Sequence, residues 1–369
     1  MKKISVVLLT LVVALALGLT GCQQGAKTIK IGVGGAHTGD LASYGLPTVN
    51  AAQLVAEEIN AAGGIDGKMI ELVVEDDQCK PEIATNTASK LAGEGVVAVL
   101  GHICSGATKA ALGIYQDSDL VTISPSATNP DLTKDYTNFY RTIASDNAQA
   151  VTEVEFIQSM GLTKIAVLHD KGDYGKGFAE LVQSGATAAG IEVVLFEGVT
   201  PGGVDYSAIL NKVDNSGAEA LVWGGYHPEA SKLVTQMKNK GMDMPFLSDD
   251  GVKDQTFIDV AGEFAEGVYA TGPIDTSSTP LYQKAGADHL AKYGEEPGAF
   301  FYNAYAAMLA ICNAIDVADS TEYAAITEAL TSNYVDTPLG SISFDKGGEA
   351  IGVGFVVYQV QGGVFVEAE

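Results

Sequence analysis

The chain has 369 residues, a length that allows two domains. Apolar residues make up 47% and charged residues 18%, which excludes a disordered chain because there is enough apolar material for a core. The 46 acidic residues outnumber the 21 basic ones, and Arg141 is the only arginine, so the formal net charge of −25 argues against a nucleic-acid partner.

The N-terminal segment has the features of an export signal. Lys2 and Lys3 precede an almost wholly apolar stretch that is shorter than the ~20 residues of a membrane-spanning helix. The stretch ends in Leu19-Thr20-Gly21-Cys22, which resembles the lipobox of bacterial lipoproteins. We expect residues 1–21 to be a lipoprotein signal peptide, Cys22 to carry the lipid, and residues 22–27 to tether the protein outside the cell membrane. The alternative is an ordinary secretory signal followed by a chance cysteine.

Short β-branched runs then alternate with helix-like segments, a pattern typical of parallel sheets with helices on both faces. The clearest helix is predicted over Pro47–Ala62, where apolar residues recur at helical spacing before two glycines. Strands are predicted in two runs, at Ile29–Val33, Ile70–Val74, Val96–Leu100 and Val121–Ile123, and at Ile165–Leu168, Ile191–Phe196, Leu221–Trp223, Phe246–Leu247 and Val268–Thr271.

The two runs predict two similar α/β lobes. The C-terminal part differs, because its apolar residues alternate as in antiparallel strands, with Gln361-Gly362-Gly363 as a turn. The junction near Arg141–Ser145 has no Gly/Pro cluster, so we expect the lobes to be joined by plain crossovers that can act as a hinge. The predicted C-terminal strands are Ile342–Phe344, Gly352–Val360 and Val364–Val366.

Three cysteines follow Cys22, namely Cys79, Cys104 and Cys312, so at most one internal disulfide forms and three pairings are possible. Cys79 and Cys104 each follow a predicted strand, and the ends of adjacent parallel strands lie at one sheet edge, which favours the Cys79–Cys104 pair. Cys312 lies in an apolar helical stretch and is expected to be a buried free thiol. A metal site formed by Cys79, His102 and Cys104 is the less favoured alternative, since no compact CxxC pair exists.

The common catalytic and nucleotide-binding motifs are missing from the sequence. The glycine-rich segment Gly32–Gly39 fits neither a dinucleotide fingerprint nor a P-loop, and there is no G-x-S-x-G or H-E-x-x-H motif. Glu75-Asp76-Asp77 could chelate a cation but is more typical of a solvated loop. We therefore expect no enzymatic activity, no cofactor and no metal.

Hydroxyl, aromatic and acidic residues recur just beyond the predicted strand ends, where ligands of open α/β sheets bind. Ser105 opens a probable helix, whose free backbone N–H groups favour an anion, although a simple N-cap role is the alternative for this serine. Together these residues predict a cleft with an anion pocket, an acid and aromatic walls. They are Ser105-Gly106-Ala107-Thr108, Ser124-Pro125-Ser126-Ala127-Thr128, Tyr174, Gly224-Gly225-Tyr226 and Asp249-Asp250-Gly251.

An ordered set of short motifs closely resembles the branched-chain amino acid binding proteins, the extracellular substrate-binding subunits of ABC importers. Gly-Gly-Tyr-His-Pro-Glu and Gly-His-x-Cys-Ser are the most specific of them, and the resemblance extends from about Thr28 to Val366. The motifs are Tyr44-Gly45, Ile59-Asn60-Ala61-Ala62-Gly63-Gly64-Ile65, Asp76-Asp77-Gln78-Cys79, Gly101-His102-Ile103-Cys104-Ser105, Ser124-Pro125-Ser126-Ala127-Thr128, His169-Asp170, Tyr174-Gly175, Gly224-Gly225-Tyr226-His227-Pro228-Glu229 and Gly298-Ala299-Phe300.

The resemblance implies a type I periplasmic-binding-protein fold, with two Rossmann-like lobes joined by three crossovers that close over one ligand. The implied N-terminal lobe comprises residues 28–145 and 275–346, and the implied C-terminal lobe comprises residues 146–274 and 347–369. The family's disulfide matches Cys79–Cys104, in agreement with the strand-edge argument.

The resemblance also implies the ligand contacts. The α-carboxylate would bind Ser105 and Thr128, through hydroxyl and backbone N–H groups. The α-ammonium would bind the Ser126 carbonyl, the Thr128 hydroxyl and the Asp250 carboxylate. The remaining implied contacts are aromatic, with Tyr44 lining the side-chain pocket and Tyr174 and Tyr226 reaching in from the second lobe.

Two positions depart from the family pattern. Asp250 stands where the family commonly has glutamate, so its reach to the ammonium is shorter, and Asp249 is a candidate substitute. Ser126 stands where alanine is common, and its hydroxyl could narrow the pocket or bind a polar ligand. Both departures put the side-chain preference of the pocket in doubt.

The resemblance implies a mostly monomeric, membrane-tethered protein that delivers leucine, isoleucine or valine to an ABC permease. One alternative is the same fold binding another amino acid, an amide or a small carboxylate. A second is a sensor that presents its ligand to a receptor, and a third is a two-lobed lipoprotein enzyme.

Overall fold

A computed structural model describes residues 28–368, and the predicted signal peptide, lipidation site and tether lie outside these residues. The described chain contains a first sheet of five strands, a second sheet of seven and a small sheet of three. The predicted α/β class with parallel sheets is therefore confirmed.

All neighbouring strands of the first sheet are parallel, in the order β2-β1-β3-β4-β5. Strands β3 and β4 are wholly buried because helices cover both faces of the sheet. The strands are β1 (Thr28–Gly35), β2 (Met69–Asp76), β3 (Ala98–Leu100), β4 (Val121–Ser124) and β5 (Phe139–Arg141), and the helices of this part are α1 (Ala42–Ala61), α2 (Pro81–Gly93), α3 (Ser105–Asp117) and α4 (Asp131–Asp135).

The second sheet has the order β15-β14-β10-β9-β8-β6-β7, and its five strands from β10 to β7 are parallel. Strands β14 and β15 are antiparallel, as the alternating C-terminal pattern predicts. The strands are β6 (Lys164–His169), β7 (Glu192–Gly198), β8 (Ala220–Gly224), β9 (Phe246–Ser248), β10 (Tyr269–Pro273), β14 (Phe355–Gln361) and β15 (Val364–Glu367), and the helices are α5 (Asp146–Ser159), α6 (Asp173–Ala188), α7 (Ser207–Ser216), α8 (His227–Asn239) and α9 (Gln255–Ala261), followed by a 3-10 turn (Gly262–Ala265).

Three further helices and the small sheet complete the first-sheet side. Helix α11 packs on α1 and α12, and its apolar residues share one core with Ile31 of β1 and Leu100 of β3. Among the described residues α11 is the one helix long and apolar enough to cross a membrane, and 67% of it is buried in this core. These elements are α10 (Pro280–Tyr293), α11 (Phe301–Ala318), α12 (Tyr323–Ser332), β11 (Val335–Thr337), β12 (Gly340–Phe344) and β13 (Ala350–Ile351).

The chain crosses between the two large sheets three times, after β5, after β10 and after β13. The start of the first crossing is joined to the segment just before β13. Arg141, the last residue of β5, forms a bridge with Glu349, and its backbone N–H donates to the Gly348 carbonyl at 3.0 Å. The lobe boundaries implied by the resemblance stay a prediction. They assign residues 347–369 to the C-terminal lobe, whereas Glu349 and strand β13 are hydrogen-bonded to Arg141 and β12 on the first-sheet side.

Cys79 and Cys104 form a disulfide with their Cα atoms 5.5 Å apart. The two strands that lead to them are not adjacent, as the strand-edge argument assumed, because β1 lies between β2 and β3. The pairing holds because both loops still leave the same edge of the parallel sheet. Cys312 is buried and free, and burial raises the pKa of its thiol to about 12.

Helix α5 buries two acids that have no hydrogen-bond partner, Asp146 in its first turn and Glu153 two turns further along. Asp146 lies near the cavity described below, whereas Glu153 is enclosed by the protein core. Desolvation raises the pKa of Glu153 from 4.5 to about 8, so folding keeps this carboxyl group protonated at neutral pH. The unfolded chain loses the proton near pH 4.5, so the free energy of unfolding falls as the pH rises from 4.5 to 8.

We expect Glu153→Gln to remove this part of the pH dependence, because the amide is neutral at every pH. The variant should gain roughly 2–4 kcal/mol over the parent chain at pH 8.5 and little at pH 4.5. Urea unfolding at the two pH values measures the difference. An equal gain at both pH values would contradict the assignment.

Candidate functional site

The carboxyl ends of the two parallel sheets face each other across a cleft, and a small cavity lies between them. Loops after β3, β4, β8 and β9 and the first turns of α1 and α6 supply its walls. Six of the seven predicted ligand-binding residues line it, whereas Thr128 is buried and is not among the lining residues. The lining residues are Tyr44, Ile103, Ser105, Ser126, Tyr174, Tyr226, Asp250, Gly251 and Phe300.

Ser105 is the first residue of helix α3, and Cys104 is its N-cap, without a side-chain cap hydrogen bond. The N-cap alternative for Ser105 is therefore wrong. The first N–H groups of a helix have no partner within the helix. Because Ser105 lines the cavity, the positive end of the dipole of α3 lies at the cavity wall. The Ser105 hydroxyl oxygen accepts a hydrogen bond from the Asn129 backbone N–H at 3.3 Å, which joins α3 to the loop after β4.

Ser126 uses its hydroxyl group to hold two loops together. The hydroxyl donates to the Ile103 carbonyl at 2.9 Å, and the neighbouring Ser124 hydroxyl donates to the His102 carbonyl. The hydroxyl at position 126 is thus engaged within the protein, which leaves the backbone carbonyl of Ser126 as the group offered to the cavity. The structure gives this departure from the family pattern a role in joining the loops after β3 and β4.

Arg141 fixes the loop that carries Thr128. Its guanidinium is completely buried and donates to the carbonyls of Ala127 at 3.1 Å and Asn129 at 3.0 Å, the two residues that flank Thr128. Glu349 receives two further hydrogen bonds from the same guanidinium. The only arginine of the chain therefore has a structural role and does not reach the cavity wall.

Asp250 is held from two sides. Its Oδ1 accepts hydrogen bonds from Gln149 Nε2 at 2.7 Å and from the Tyr174 hydroxyl at 2.6 Å. Burial raises the pKa of this carboxyl to about 6, although both hydrogen bonds act in the opposite direction. Gln149, which also donates to the Thr271 hydroxyl at 2.9 Å, was not predicted. No local motif marks it, because the contact joins residues a hundred positions apart.

Asp249 has a different role from Asp250. Its Oδ2 accepts a hydrogen bond from the Gly225 backbone N–H at 2.8 Å, so it fixes the loop that presents Tyr226. Asp249 does not line the cavity, and the idea that it substitutes for Asp250 is not supported by its geometry. Burial together with the nearby Asp250 charge raises its pKa well above the usual value.

Aromatic side chains form the outer wall of the cavity. Tyr44 reaches across the cleft and donates its hydroxyl hydrogen to the Gly251 carbonyl at 2.5 Å. Its ring centroid lies 5.7 Å from that of Phe300 and 6.1 Å from that of Tyr226, and Tyr226 lies 5.0 Å from Tyr174. Helix α1 begins at Ala42, before the predicted start at Pro47, and this earlier start places Tyr44 in its first turn.

The apolar part of the wall continues past the disulfide. Tyr44, Ile103 and Cys104 pack in one cluster with Cys79 and Phe300. A larger cavity of about 540 Å³ lies next to it, with the disulfide on one side and Pro201, Pro228 and Tyr226 on the other. Phe300 belongs to a motif that carries the resemblance, yet its place in the wall was not predicted.

The less favoured alternative of a metal site at Cys79, His102 and Cys104 is wrong. The two cysteines are joined, and His102 is bonded through Nδ1 to Asp77 and through Nε2 to the Tyr115 hydroxyl. The Asp76 carboxylate accepts the backbone N–H groups of His37 and Gln78, so this acidic loop is tied to its own backbone.

Comparison with known proteins identifies the relatives of this chain. A family model described as periplasmic binding protein matches residues 28–364. The leucine-, isoleucine-, valine-, threonine- and alanine-binding protein of Pseudomonas aeruginosa is 38% identical over 363 residues, which is 97% of each chain.

Two solved structures share the fold. The leucine binding protein LivK of Thermotoga maritima matches with a TM-score of 0.87 and 26% identity, covering 93% of this chain and 98% of its own. The branched-chain amino acid transporter substrate-binding protein LivJ of Streptococcus pneumoniae, solved with isoleucine, matches with a TM-score of 0.84 and 30% identity, covering 93% of this chain and all (100%) of its own. With a family model that matches nearly all of the described residues, this chain belongs to the periplasmic binding protein family.

Proposed function

We propose that this protein binds leucine, isoleucine or valine in the cavity between its two lobes and delivers the amino acid to the permease of an ABC importer. The observation that carries the proposal is the composition of the cavity. A helix N-terminus and hydroxyl groups lie on one side, a buried acid lies on the other, and the wall between them is apolar and aromatic. The names of the relatives support the same ligand class.

The carboxylate of the ligand would bind at the start of α3. Ser105 offers its hydroxyl and backbone N–H there, and Thr128 lies in the adjoining loop with a hydroxyl that has no partner. Neutral donors at a helix N-terminus can stabilise a carboxylate without an arginine. Arg141 is not needed for this contact, because its guanidinium is hydrogen-bonded to the Ala127 and Asn129 carbonyls.

The ammonium group would bind between the lobes, against the Asp250 carboxylate and the Ser126 carbonyl. Aspartate is one methylene shorter than the glutamate common in the family, and Gln149 and Tyr174 hold it in a fixed position at the cavity wall. A charged group leaves water at lower cost where its partner is already oriented.

The side chain of the ligand would face the apolar wall formed by Tyr44, Ile103, Phe300 and Tyr226. An aliphatic side chain loses contact with water there, and each buried methylene contributes about 0.8 kcal/mol. A charged side chain would find few partners on this wall, which favours aliphatic amino acids.

Contacts across the cleft support a closing mechanism. Besides the Tyr44 hydroxyl, which contacts Gly251, the Asn129 side chain donates to the Asp173 carbonyl at 2.6 Å. A ligand that touches both lobes would shift an open–closed equilibrium toward the closed form. The closed form would then be the one that the permease recognises.

To deliver a ligand to an import permease, the protein must lie on the outer side of the cell membrane. The lipobox-like segment before Cys22 supports a lipid anchor there, and the disulfide is compatible with an oxidising compartment outside the cytoplasm. We infer a monomeric lipoprotein whose lobes lie close to the membrane surface.

Isothermal titration calorimetry on the chain from Gln23 onward, which contains every described element, tests the ligand class. The protein is refolded first to remove carried-over ligand and then titrated with leucine, isoleucine, valine, threonine, alanine, phenylalanine, glutamate and a short amide. We expect a Kd of about 1 μM or below for the branched aliphatic amino acids, which corresponds to about −8 kcal/mol.

Glutamate is the matched negative ligand, because it keeps the amino-acid backbone and changes only the side chain. Equal binding of glutamate and leucine would contradict the side-chain assignment. No binding of any free amino acid would overturn the ligand class and leave amides or carboxylic acids without an ammonium group as the alternatives.

A further inference from the structure

The inner end of helix α5 carries buried oxygens that have no hydrogen-bond partner. Both carboxyl oxygens of Asp146 are unpartnered, and the Asp146 side chain is completely buried. Gln149 Oε1, one helical turn along, and the Thr128 hydroxyl oxygen are also buried and unpartnered. Four such atoms in one place are exceptional, because buried polar groups are nearly always hydrogen-bonded.

Asp146, Gln149 and Thr128 do not line the cavity themselves, but hydrogen bonds link Asp146 to Thr128 and Gln149 to the cavity wall. The Asp146 backbone N–H donates to the Thr128 carbonyl at 2.9 Å. The Thr128 hydroxyl lies close enough to the Asp146 carboxyl group to lower its pKa, although neither side chain makes a hydrogen bond of normal geometry. The amide nitrogen of Gln149 donates to Asp250, which lines the cavity. Asp146 therefore adjoins two of the residues assigned to the ligand.

The cluster formed by Asp146, Gln149, Thr128 and Asp250 has more hydrogen-bond acceptors than donors. Asp146 and Asp250 are both acids, and Gln149 has already used its donors on Asp250 and Thr271. A ligand that restores the balance must bring several N–H donors and a positive charge. A primary ammonium group has three N–H donors and one positive charge.

We propose that Asp146 is a ligand-binding residue, and that its carboxyl group receives the ammonium group of the amino acid together with the carboxyl group of Asp250. The proposal rests on the proposed function and deepens it, since it gives the ammonium a second acidic partner. It also explains how the shorter Asp250 suffices where a glutamate is common. With the Asp146 carboxyl group close to that of Asp250, the ammonium does not have to be reached by Asp250 alone.

The charged and titratable groups around Asp146 come from several elements. Burial and then Asp250 raise the pKa of Asp146, whereas the Thr128 hydroxyl and Arg141 of β5 lower it. Strand β10 presents the neutral Thr271 hydroxyl, and β14 carries Tyr358, whose hydroxyl donates to the Pro273 carbonyl. Helix α6 also carries an exposed ion pair of Lys176 and Glu180. The further titratable groups that interact with Asp146 are Asp249, Tyr174 and Tyr226.

Proton release accompanies the proposed contact. Burial and the nearby Asp250 raise the pKa of Asp146 to about 8, so its carboxyl is mostly protonated at pH 7 without ligand. An ammonium placed against it favours the carboxylate, and the proton leaves to the buffer. Binding should therefore strengthen as the pH rises from 6 to 8.

Asp146→Asn tests the proposal, because asparagine has nearly the size of the protonated carboxyl group and so preserves the fold. Leucine is the probe, titrated by calorimetry at pH 7 in phosphate and in Tris, two buffers that differ in ionisation enthalpy. We expect wild type to release up to about one proton, and the variant to bind about tenfold more weakly and to release clearly less.

Glu153→Gln is the matched control, since Glu153 is another buried, unpartnered acid on the same helix with a pKa raised to about 8. It should keep the wild-type affinity and proton release. Binding by Asp146→Asn within about twofold of wild type would overturn the proposal. So would a wild-type protein that binds leucine with no proton release, a measurement that does not depend on the folding of any variant. A wild-type protein that binds no amino acid would overturn the proposed function itself and this proposal with it.

Discussion

Replacing Thr128 with valine and Asp250 with asparagine in one chain is expected to abolish amino-acid binding while the protein stays folded. The pair removes a hydroxyl from the carboxylate side of the cavity and a negative charge from the ammonium side. Hydrogen bonds to charged groups contribute about 1.5–3 kcal/mol each, so a combined loss of about 3–6 kcal/mol corresponds to roughly a hundredfold to ten-thousandfold in affinity.

The fold should tolerate both changes for reasons visible in the contacts. The Thr128 hydroxyl has no partner within the protein, and valine has nearly the same shape. Asparagine at position 250 keeps an oxygen that can accept from Gln149 and Tyr174. Circular dichroism and thermal unfolding should therefore match the parent protein, while calorimetry shows no heat of leucine binding.

A second double variant, Thr122→Val with Glu153→Gln, provides the control. Thr122 is another buried threonine with an unpartnered hydroxyl, and Glu153 is another buried acid, but neither lines the cavity. This variant should bind leucine as tightly as the parent. If the Thr128 and Asp250 double variant bound leucine within about tenfold of the parent, the proposed ammonium and carboxylate contacts would be incorrect.

Much of the cavity could be predicted because its residues follow strand ends. Ser105, Ser126, Tyr226 and Asp250 each come within a few residues of a buried apolar strand, and the ends of parallel strands meet at one edge. Thr128 lies in the segment that follows Val121–Ile123 and was found by the same rule, whereas Tyr44 depended on the resemblance. The disulfide followed from the same edge rule, although the actual strand order places β1 between the two strands involved.

The residues near the cavity that the sequence did not predict were missed for one physical reason. Gln149 and Asp146 lie on α5, which has no motif, and they meet Asp250 only because the first crossing brings α5 against the loop after β9. Sequence spacing predicts contacts within a helix or a strand, whereas these pairs are about a hundred positions apart. The engagement of the Ser126 hydroxyl by Ile103 was hidden for the same reason, since it joins two loops.

Arg141→Met is expected to destabilise the folded protein by about 3–5 kcal/mol, the range typical of breaking a buried, hydrogen-bonded ion pair. The guanidinium is fully buried, and its partners are the Ala127 and Asn129 carbonyls, the Thr133 hydroxyl and the Glu349 carboxylate. Methionine fills similar space but leaves those acceptors without donors. The Glu349 side chain is 32% exposed, so water can partly replace its hydrogen bonds to the guanidinium. Much of the lost stability therefore comes from the Ala127 and Asn129 carbonyls.

The effect should reach the ligand as well as the fold, because the two carbonyls belong to the residues on either side of Thr128. Urea unfolding measures the stability, and leucine titration measures the affinity.

The control is Lys212→Met, which removes an ion pair with Glu197 at 2.7 Å. Both side chains of this pair are exposed, so the loss of stability should stay below about 1 kcal/mol. Arg141→Met should lower stability and leucine affinity together, whereas the Thr128 and Asp250 double variant lowers affinity alone. An Arg141→Met protein that lost stability but kept full affinity would show that Thr128 is held by its own loop and not by the guanidinium.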